Sequence, residues 1–285
     1  MAKAKSRLIL GTAQFGLNYG INNNGKLSSR DLDRVFSLVN DRQICLDTSS
    51  AYGNSETIIG KRAATNIEII TKISPKKDID VKKMFYKSLK NLKKDKIHGC
   101  FLHDFSVMKT RPDIWNQFID LKKQGLVEKV GFSVYYPAQI TYLMNNRIPF
   151  DFVQFPYNIV DQRFSYSFDV LRKHNVETHA RSIFLQGLFF KDLTKKERIK
   201  FFSFLDALKI IKDIAKKEQI PISHMCMNFA LLNDNIDKIV FGIDSYENLI
   251  VNLDHDKSMH ATQANYKNLL NLQKNYDSMV LPTNW

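Results

Sequence analysis

The sequence predicts one domain over residues 1–285, folded as a (β/α)8 barrel of the TIM type. Three observations lead there. Short apolar runs alternate with amphipathic stretches from one end to the other, with no linker or break in composition between them. About eight strand–helix units fit in the 285 residues, which is the count and size such a barrel needs. The main competitor is an open, doubly wound sheet, and its phosphate-binding signature, G-x-G-x-x-G, does not occur.

Taken in order, strands are expected at Leu8–Ala13, Ile44–Asp47, Ile67–Lys72, Gly99–His103, Lys129–Ser133, Phe152–Phe155, Glu177–Arg181 and Lys238–Gly242, each followed by a helical pattern. The first helix starts at a Ser28-Ser29 cap and turns Val35, Phe36 and Leu38 inward. Ahead of it, Gly20 to Lys26 matches most of a P-loop, but Leu27 stands where the Mg²⁺-binding Ser or Thr belongs, so an Asn/Gly-rich turn is expected. After the second strand, Asn54-Ser55-Glu56 is a cap signal before Thr57-Ile58-Ile59. Between Ser74 and Lys96, Val81, Met84, Phe85, Leu89 and Leu92 keep helical spacing with Lys82, Lys83, Lys87, Lys90, Lys93 and Lys94 between them. The fourth helix runs through Ile114, Phe118, Ile119 and Leu121 and stops before Gly125. Lys191 to Lys217 repeats the lysine-rich pattern around Phe201, Phe204, Leu205, Leu208 and Ile211. Residues 254–285 are expected as a C-terminal helix and tail near the barrel mouth.

The composition removes several function classes. The net charge of +13, from 42 Lys+Arg against 29 Asp+Glu, raises nucleic-acid binding. The lysines, however, fall on the solvated faces of amphipathic helices, and no basic arm, zinc finger or RNA-binding aromatic motif accompanies them, so no nucleic-acid partner is expected. No apolar run approaches the roughly 18 residues of a membrane span, and Met1 to Arg7 leads only into Leu8-Ile9-Leu10, too short for a secretory signal. The expectation is a cytoplasmic protein. Cys45, Cys100 and Cys226 are widely spaced packing cysteines rather than a disulfide frame or zinc site.

Polar groups collect at the carboxyl ends of the expected strands, where a barrel carries its active site. These are Asp47, with Tyr52 in the loop beyond it, then Lys72, His103, Ser133, Gln154 and Arg181. Each alone has an ordinary structural explanation; successive strand ends are neighbours, so Asp47, Tyr52, Lys72 and His103 form one cluster. Metal binding does not suit it, because His98 and His103 lie near opposite ends of one strand. A glycosidase needs two facing carboxylates, and only Asp47 and Asp104 are on offer. A Schiff base on Lys72 needs a neutral amine, which Asp47 opposes. A tyrosine acid fits better. Moving a phenol from about 10 to about 7 takes about 4 kcal/mol. One cation ~4 Å away at an effective dielectric of ~20 supplies about that much, and Lys72 is the candidate, with Asp47 holding it charged and His103 donating to the substrate oxygen.

These residues resemble those of the aldo-keto reductases, and the similar motifs cover nearly the whole chain. They are Leu10-Gly11-Thr12-Ala13-Gln14-Phe15-Gly16, Leu46-Asp47-Thr48 with Tyr52-Gly53-Asn54-Ser55-Glu56, Thr71-Lys72, Phe101-Leu102-His103, Val130-Gly131-Phe132-Ser133, Val153-Gln154 with Tyr157-Asn158, and Ala180-Arg181-Ser182 with Gln186-Gly187-Leu188. The resemblance implies a catalytic tetrad of Asp47, Tyr52, Lys72 and His103, and hydride transfer from a reduced nicotinamide to an aldehyde or ketone. It implies cofactor contacts from Thr12, Ala13, Asp47, Ser133, Gln154 and Arg181, and from Gly242, Ser245 and Asn252 in the last strand–helix junction. That junction departs from the pattern. Asp244 and Asn248 stand where members that prefer NADPH carry Arg or Lys, Val251 replaces a Glu, and Val134 replaces the Asn that often follows Ser133. NADPH is expected from the family's habit, with NADH as the alternative. Phe15, Tyr19, Phe105, Tyr136, Tyr157 and Trp285 are candidates for the pocket lining. Similarity of the opening run and of residues 181–187 to bacterial members encoded with surface-polysaccharide genes implies a sugar-like carbonyl. Two other readings stay open: a regulatory or auxiliary subunit on the same barrel, and a Schiff-base lyase using Lys72.

Overall fold

Eight parallel strands close on one another in sequence order, each hydrogen-bonded to the next and β8 to β1. The computed structural model describes residues 7–21, 25–75, 80–275, 278–281 and 284–285. The strands are β1 (Leu8–Gly11), β2 (Cys45–Asp47), β3 (Ile69–Ile73), β4 (Ile97–Leu102), β5 (Val127–Ser133), β6 (Phe152–Pro156), β7 (Glu177–Arg181) and β8 (Lys238–Gly242). This is the expected barrel, as one domain.

Period-two alternation divides each strand between two surroundings. Ile9, Ile70, Phe101, Phe152 and Val240 form a small apolar cluster of their own inside the barrel. Their neighbours along the strands, such as Leu10, Leu46, Ile69, Cys100, Leu102, Phe132, Val153 and Phe241, join the larger core under the helices. Phe152 fills the middle of the barrel because two strands make room for it. A Cβ at Gly131 would come within 1.9 Å of the Phe152 carbonyl oxygen, and one at Gly99 within 2.7 Å of its ring.

Most helices form where spacing predicts, although Asn54 precedes the helix Ser55–Arg62 without a side-chain cap hydrogen bond. The first barrel helix, Ser29–Arg42, is capped by the Ser28 hydroxyl accepting from Asp31 N–H at 3.1 Å. It buries Leu32, Val35, Phe36 and Val39; Leu38 is only half-buried. The lysine-rich helix is Val81–Leu92, with Val81, Phe85, Leu89 and Leu92 buried and Lys83, Lys87 and Lys90 exposed. The second basic stretch is not one helix. A capping box at Thr194 starts Lys195–Lys200, a 3-10 turn follows at Phe202–Phe204, and a separate helix runs Leu205–Lys217. The break lets Phe201 and Phe204 both reach the core.

Strand ends differ from expectation by one or two residues, for local reasons. β1 stops at Gly11 because Thr12 N–H bonds across to Asp47 O (2.9 Å) and Ala13–Gly16 turns helical. The segment from 254 onward is a series of short helical turns, including His255–Ser258, Met259–Ala264 and Tyr266–Leu270, rather than one helix. It binds the loop after β6 through Lys274 N–H to Val160 O (2.7 Å) and Gln162 N–H to Asn275 Oδ1 (2.7 Å). Among the described residues no helix is long and apolar enough to cross a membrane, and no His/Cys/Asp/Glu group is arranged to hold a metal. The cysteines are free. Residues 1–6 and the Asn22-Asn23-Asn24 part of the P-loop-like turn lie outside the described residues.

Candidate active site

The carboxyl ends of β2, β3 and β6 converge on one carboxylate. Asp47 ends β2, and its Oδ1 is paired with Lys72 Nζ from β3, while its Oδ2 accepts from Gln154 Nε2 at 2.9 Å. Both members of the ion pair are enclosed, with side chains 1% (Lys72) and 4% (Asp47) exposed. Lys72 also donates to Thr48 O at 3.2 Å. Burial lowers the ammonium's pKa, and Asp47 opposes that through charge and hydrogen bond.

Tyr52 reaches this pair from the loop after β2. The loop is held by Tyr52 N–H to Ser49 O (3.0 Å), and Gly53 turns it at φ 57°. Gly16 lies directly against it, since a Cβ there would meet Tyr52 O at 1.9 Å. Lys72 Nζ sits 5.3 Å from the centre of the phenol ring, and His103 stands edge-on to it with centroids 5.9 Å apart. The structure thus brings Asp47, Tyr52, Lys72 and His103 together.

The electrostatics differ from the expected cation-driven lowering of the phenol. Burial, followed by the Asp47 carboxylate, pushes the Tyr52 phenol well above its ordinary value, and Arg181 pulls the other way. The physical reason is first the phenol's burial, to which the Asp47 carboxylate adds; Lys72, paired with Asp47, does not act as a lone cation. Tyr52 therefore keeps its proton at neutral pH. His103 moves in the opposite sense, down to about 3, by burial first and then by Lys72 and Arg181, so the imidazole is neutral.

A cavity of about 530 Å³ opens beside these residues. Its wall includes Thr12, Ala13, Asp47, Tyr52, Gln154, Arg181, Gly242 and Asn252. Lys72, Ser133 and Ser245 are not part of the wall; His103 is half-buried beside the wall residue Tyr52. Ser133 is 2% exposed and pairs in register with Gln154; Ser245 caps the helix Tyr246–Leu253 by accepting from Asn248 N–H at 3.1 Å. Of the aromatic lining candidates only Tyr19 takes part, its hydroxyl accepting from Gln186 Nε2 at 3.0 Å. Phe15, Phe105 and Tyr157 are core residues, Tyr136 is half-exposed away from the cavity, and Trp285 packs edge-on against Phe201. Phe184, Phe190 and Ile222 supply the apolar wall instead. Nothing in their local sequence separates them from packing residues.

The donor set suits a carboxamide. Gln154 Nε2 is committed to a carboxylate that can only accept, which fixes the amide's orientation and leaves Oε1 buried without a partner. A buried acceptor of this kind awaits an N–H such as that of a nicotinamide amide. Gln154, Asp47, Thr12 and Arg181 are the residues that would hold the ring end of such a group.

The frame is a closed parallel barrel with a tyrosine, a buried ion pair and a neutral imidazole at the carboxyl ends of its strands. The aldo/keto reductase family model matches residues 7–267, and the chain belongs to that family. Among solved structures it is similar to an aldo-keto reductase from Bacillus halodurans in its holo form (20% identity over 97% of this chain and 95% of that one, TM-score 0.78). It is also similar to a putative aldo-keto reductase from Pseudomonas aeruginosa (18%, 91% and 90%, TM-score 0.65). A thermostable aldo-keto reductase in complex with the inhibitor epalrestat matches at 20% identity over 95% and 97%, with a TM-score of 0.67. No curated protein matches the sequence.

Proposed function

We propose that the protein reduces an aldehyde or ketone with a reduced nicotinamide dinucleotide, Tyr52 acting as the general acid. One observation carries the reading. Tyr52 lines the cavity with its hydroxyl making no hydrogen bond to a described residue, beside the orphaned Gln154 Oε1 and the buried Asp47–Lys72 pair.

When bound, the nicotinamide supplies the hydride. Tyr52 gives its proton to the carbonyl oxygen as the carbon takes up hydride, and the product is the alcohol. The raised phenol value keeps the acid charged with its proton beforehand and makes the phenolate regain one from solvent afterwards. Asp47 and Lys72 hold the floor under the ring, and the neutral His103 offers a hydrogen bond to the substrate oxygen.

The cofactor's second phosphate is where the chain departs from the family habit of NADPH. At the β8 end of the cavity the wall is Asp244, Asn248, Val251 and Asn252, and Arg181 is the one cationic side chain among the described wall residues. Arg34, near Glu247, is taken by that carboxylate at 2.8 Å and lies over Tyr246. A 2′-phosphate beside Asp244 is repelled without a compensating cation, whereas a 2′-hydroxyl donates to a carboxylate, so NADH is favoured over NADPH. Lys72 is bound to Asp47 and Thr48 and is almost fully buried, which speaks against a lyase.

The test is titration with NADH and NADPH followed by turnover of aldehydes and sugars, in wild type and Tyr52→Phe. Turnover should fall by about 10²–10⁴ with nucleotide binding retained. Full turnover in Tyr52→Phe would remove the acid role; no binding of either nucleotide would turn the search toward a regulatory partner.

A further inference from the structure

Two adjacent serines after β2, Ser49 and Ser50, surround a single proton whose position decides what His103 can do. Ser49 Oγ lies 3.1 Å from His103 Nδ1, 3.2 Å from Lys72 O, and accepts from Ala51 N–H at 3.1 Å. The side chain is closed off from water, with the residue 1% exposed. A hydroxyl has one proton, so Ser49 donates either to the Lys72 carbonyl or to the imidazole.

The Lys72 carbonyl is already satisfied. It accepts from Ser50 N–H at 3.1 Å and from the Ser50 hydroxyl at 3.1 Å, and a carbonyl oxygen has two lone pairs. The Ser49 proton therefore goes to His103 Nδ1, the better remaining acceptor. A neutral imidazole that accepts at Nδ1 carries its own proton on Nε2. Nε2 has no partner among the described residues, so that N–H is free to be donated.

We propose that Ser49 is a positioning residue that locks His103 in the Nε2–H tautomer, with Ser50 keeping the Ser49 proton away from the Lys72 carbonyl. The opposite tautomer would present a lone pair at Nε2 and meet a carbonyl oxygen with repulsion. The functional consequence rests on the reductase reading above; the tautomer itself does not.

The ring nitrogens of ¹⁵N-labelled, unliganded protein at neutral pH test this directly, with His103→Gln assigning the signals. The expected pattern is an unprotonated Nδ1 and a protonated Nε2 on His103. A protonated Nδ1 in the wild type would overturn the proposal. In Ser49→Ala the pattern should give way to averaged signals, and kcat should fall about tenfold with KM little changed; Ser49→Thr, which keeps the hydroxyl, should restore both. Ser50→Ala, which does not touch His103, should shift the same nitrogen signals part of the way, an effect that simple loss of packing does not produce. An unchanged wild-type pattern in both Ser49→Ala and Ser50→Ala would sink the idea. A protein without any carbonyl reduction would sink the reductase reading while leaving the nitrogen signals to decide the lock.

Discussion

Replacing Lys72 with Met removes one charge from a nearly buried pair. Asp47 is then left 3% exposed, with Gln154 Nε2 at 2.9 Å as its remaining side-chain partner. Breaking a buried pair from one side costs about 3–5 kcal/mol, because the surviving charge has lost its compensation. The Gln154 hydrogen bond places the cost here near the lower end, about 3 kcal/mol. For 285 residues the unfolding entropy is roughly 0.6 kcal/mol/K, so the melting temperature should fall by about 5 °C. The double variant Asp47→Asn/Lys72→Met leaves no unpaired charge and should recover about 1–2 kcal/mol of that loss. Urea midpoints of wild type, both single variants and the double variant measure all of this. If Lys72→Met stays within about 0.5 kcal/mol of wild type, or the single losses simply add, the pair is not a coupled unit and the floor under Tyr52 is built differently.

Three further outcomes follow from the site. The folded-state pKa of His103 is depressed from 6.5 to about 3, so the unfolded chain binds a proton that the folded one refuses; its stabilisation is complete above pH 6.5 and is lost as the pH falls toward 3. Between pH 6 and 5 wild type should lose about 1 kcal/mol more than His103→Gln in urea unfolding, and equal losses would contradict the buried neutral ring. Asp244→Ser should tighten NADPH about tenfold, by removing one repulsive charge, while hardly altering NADH; a fluorescence titration in which both nucleotides respond alike would move Asp244 away from the phosphate. Gly16→Ala forces a Cβ to within 1.9 Å of Tyr52 O, so it should displace the tyrosine loop and cost on the order of 1–3 kcal/mol, read as a lowered urea midpoint with turnover lost in the folded fraction.

The barrel could be read from the sequence because each strand carries its apolar residues where the alternation needs them, as in Ile9, Leu10 and Ile69, Ile70. The site was legible for a related reason. Asp47 and Lys72 are polar residues at the ends of adjacent, otherwise apolar strands, so strand order places them together, whereas Gln154, on β6, reaches Asp47 only across the barrel mouth. The phenol's shift was not legible, since the sequence pairs Asp47 with Lys72 beside Tyr52 but does not show how deeply the phenol is buried or that Asp47 acts on it. The pocket lining was misread for a similar reason: Phe15, Phe105 and Tyr157 sit in loops or beside strand ends, and only the packing shows that they turn into the core. Ser49 and Ser50 carried no signal at all, because their meaning depends on a carbonyl and an imidazole supplied by two other strands.

The middle of the barrel closes the upper site from beneath. Phe101 and Phe152 stack at 3.9 Å across the interior, in space opened by Gly99 and Gly131. Below them lies a second polar group of different character: Glu177 is paired with Lys129, and it also binds His179 Nε2 at 2.7 Å. His179 meets both phenylalanine rings edge-on, and its Nδ1 is buried without a partner. The aromatic layer thus separates two sets of charges, one at each end of the barrel. At the upper end, the hydrogen-bond partners of the Asp47 and Lys72 side chains among the described residues are each other, Gln154 and Thr48. Shrinking Phe152 to Leu should therefore act on the site from beneath. Without the ring, water gains access to the Asp47–Lys72 pair, the effective dielectric rises, and the coupling measured by the double variant above should weaken along with the stability. An undiminished coupling in Phe152→Leu would mean that the pair is insulated by its own surroundings and not by the aromatic layer.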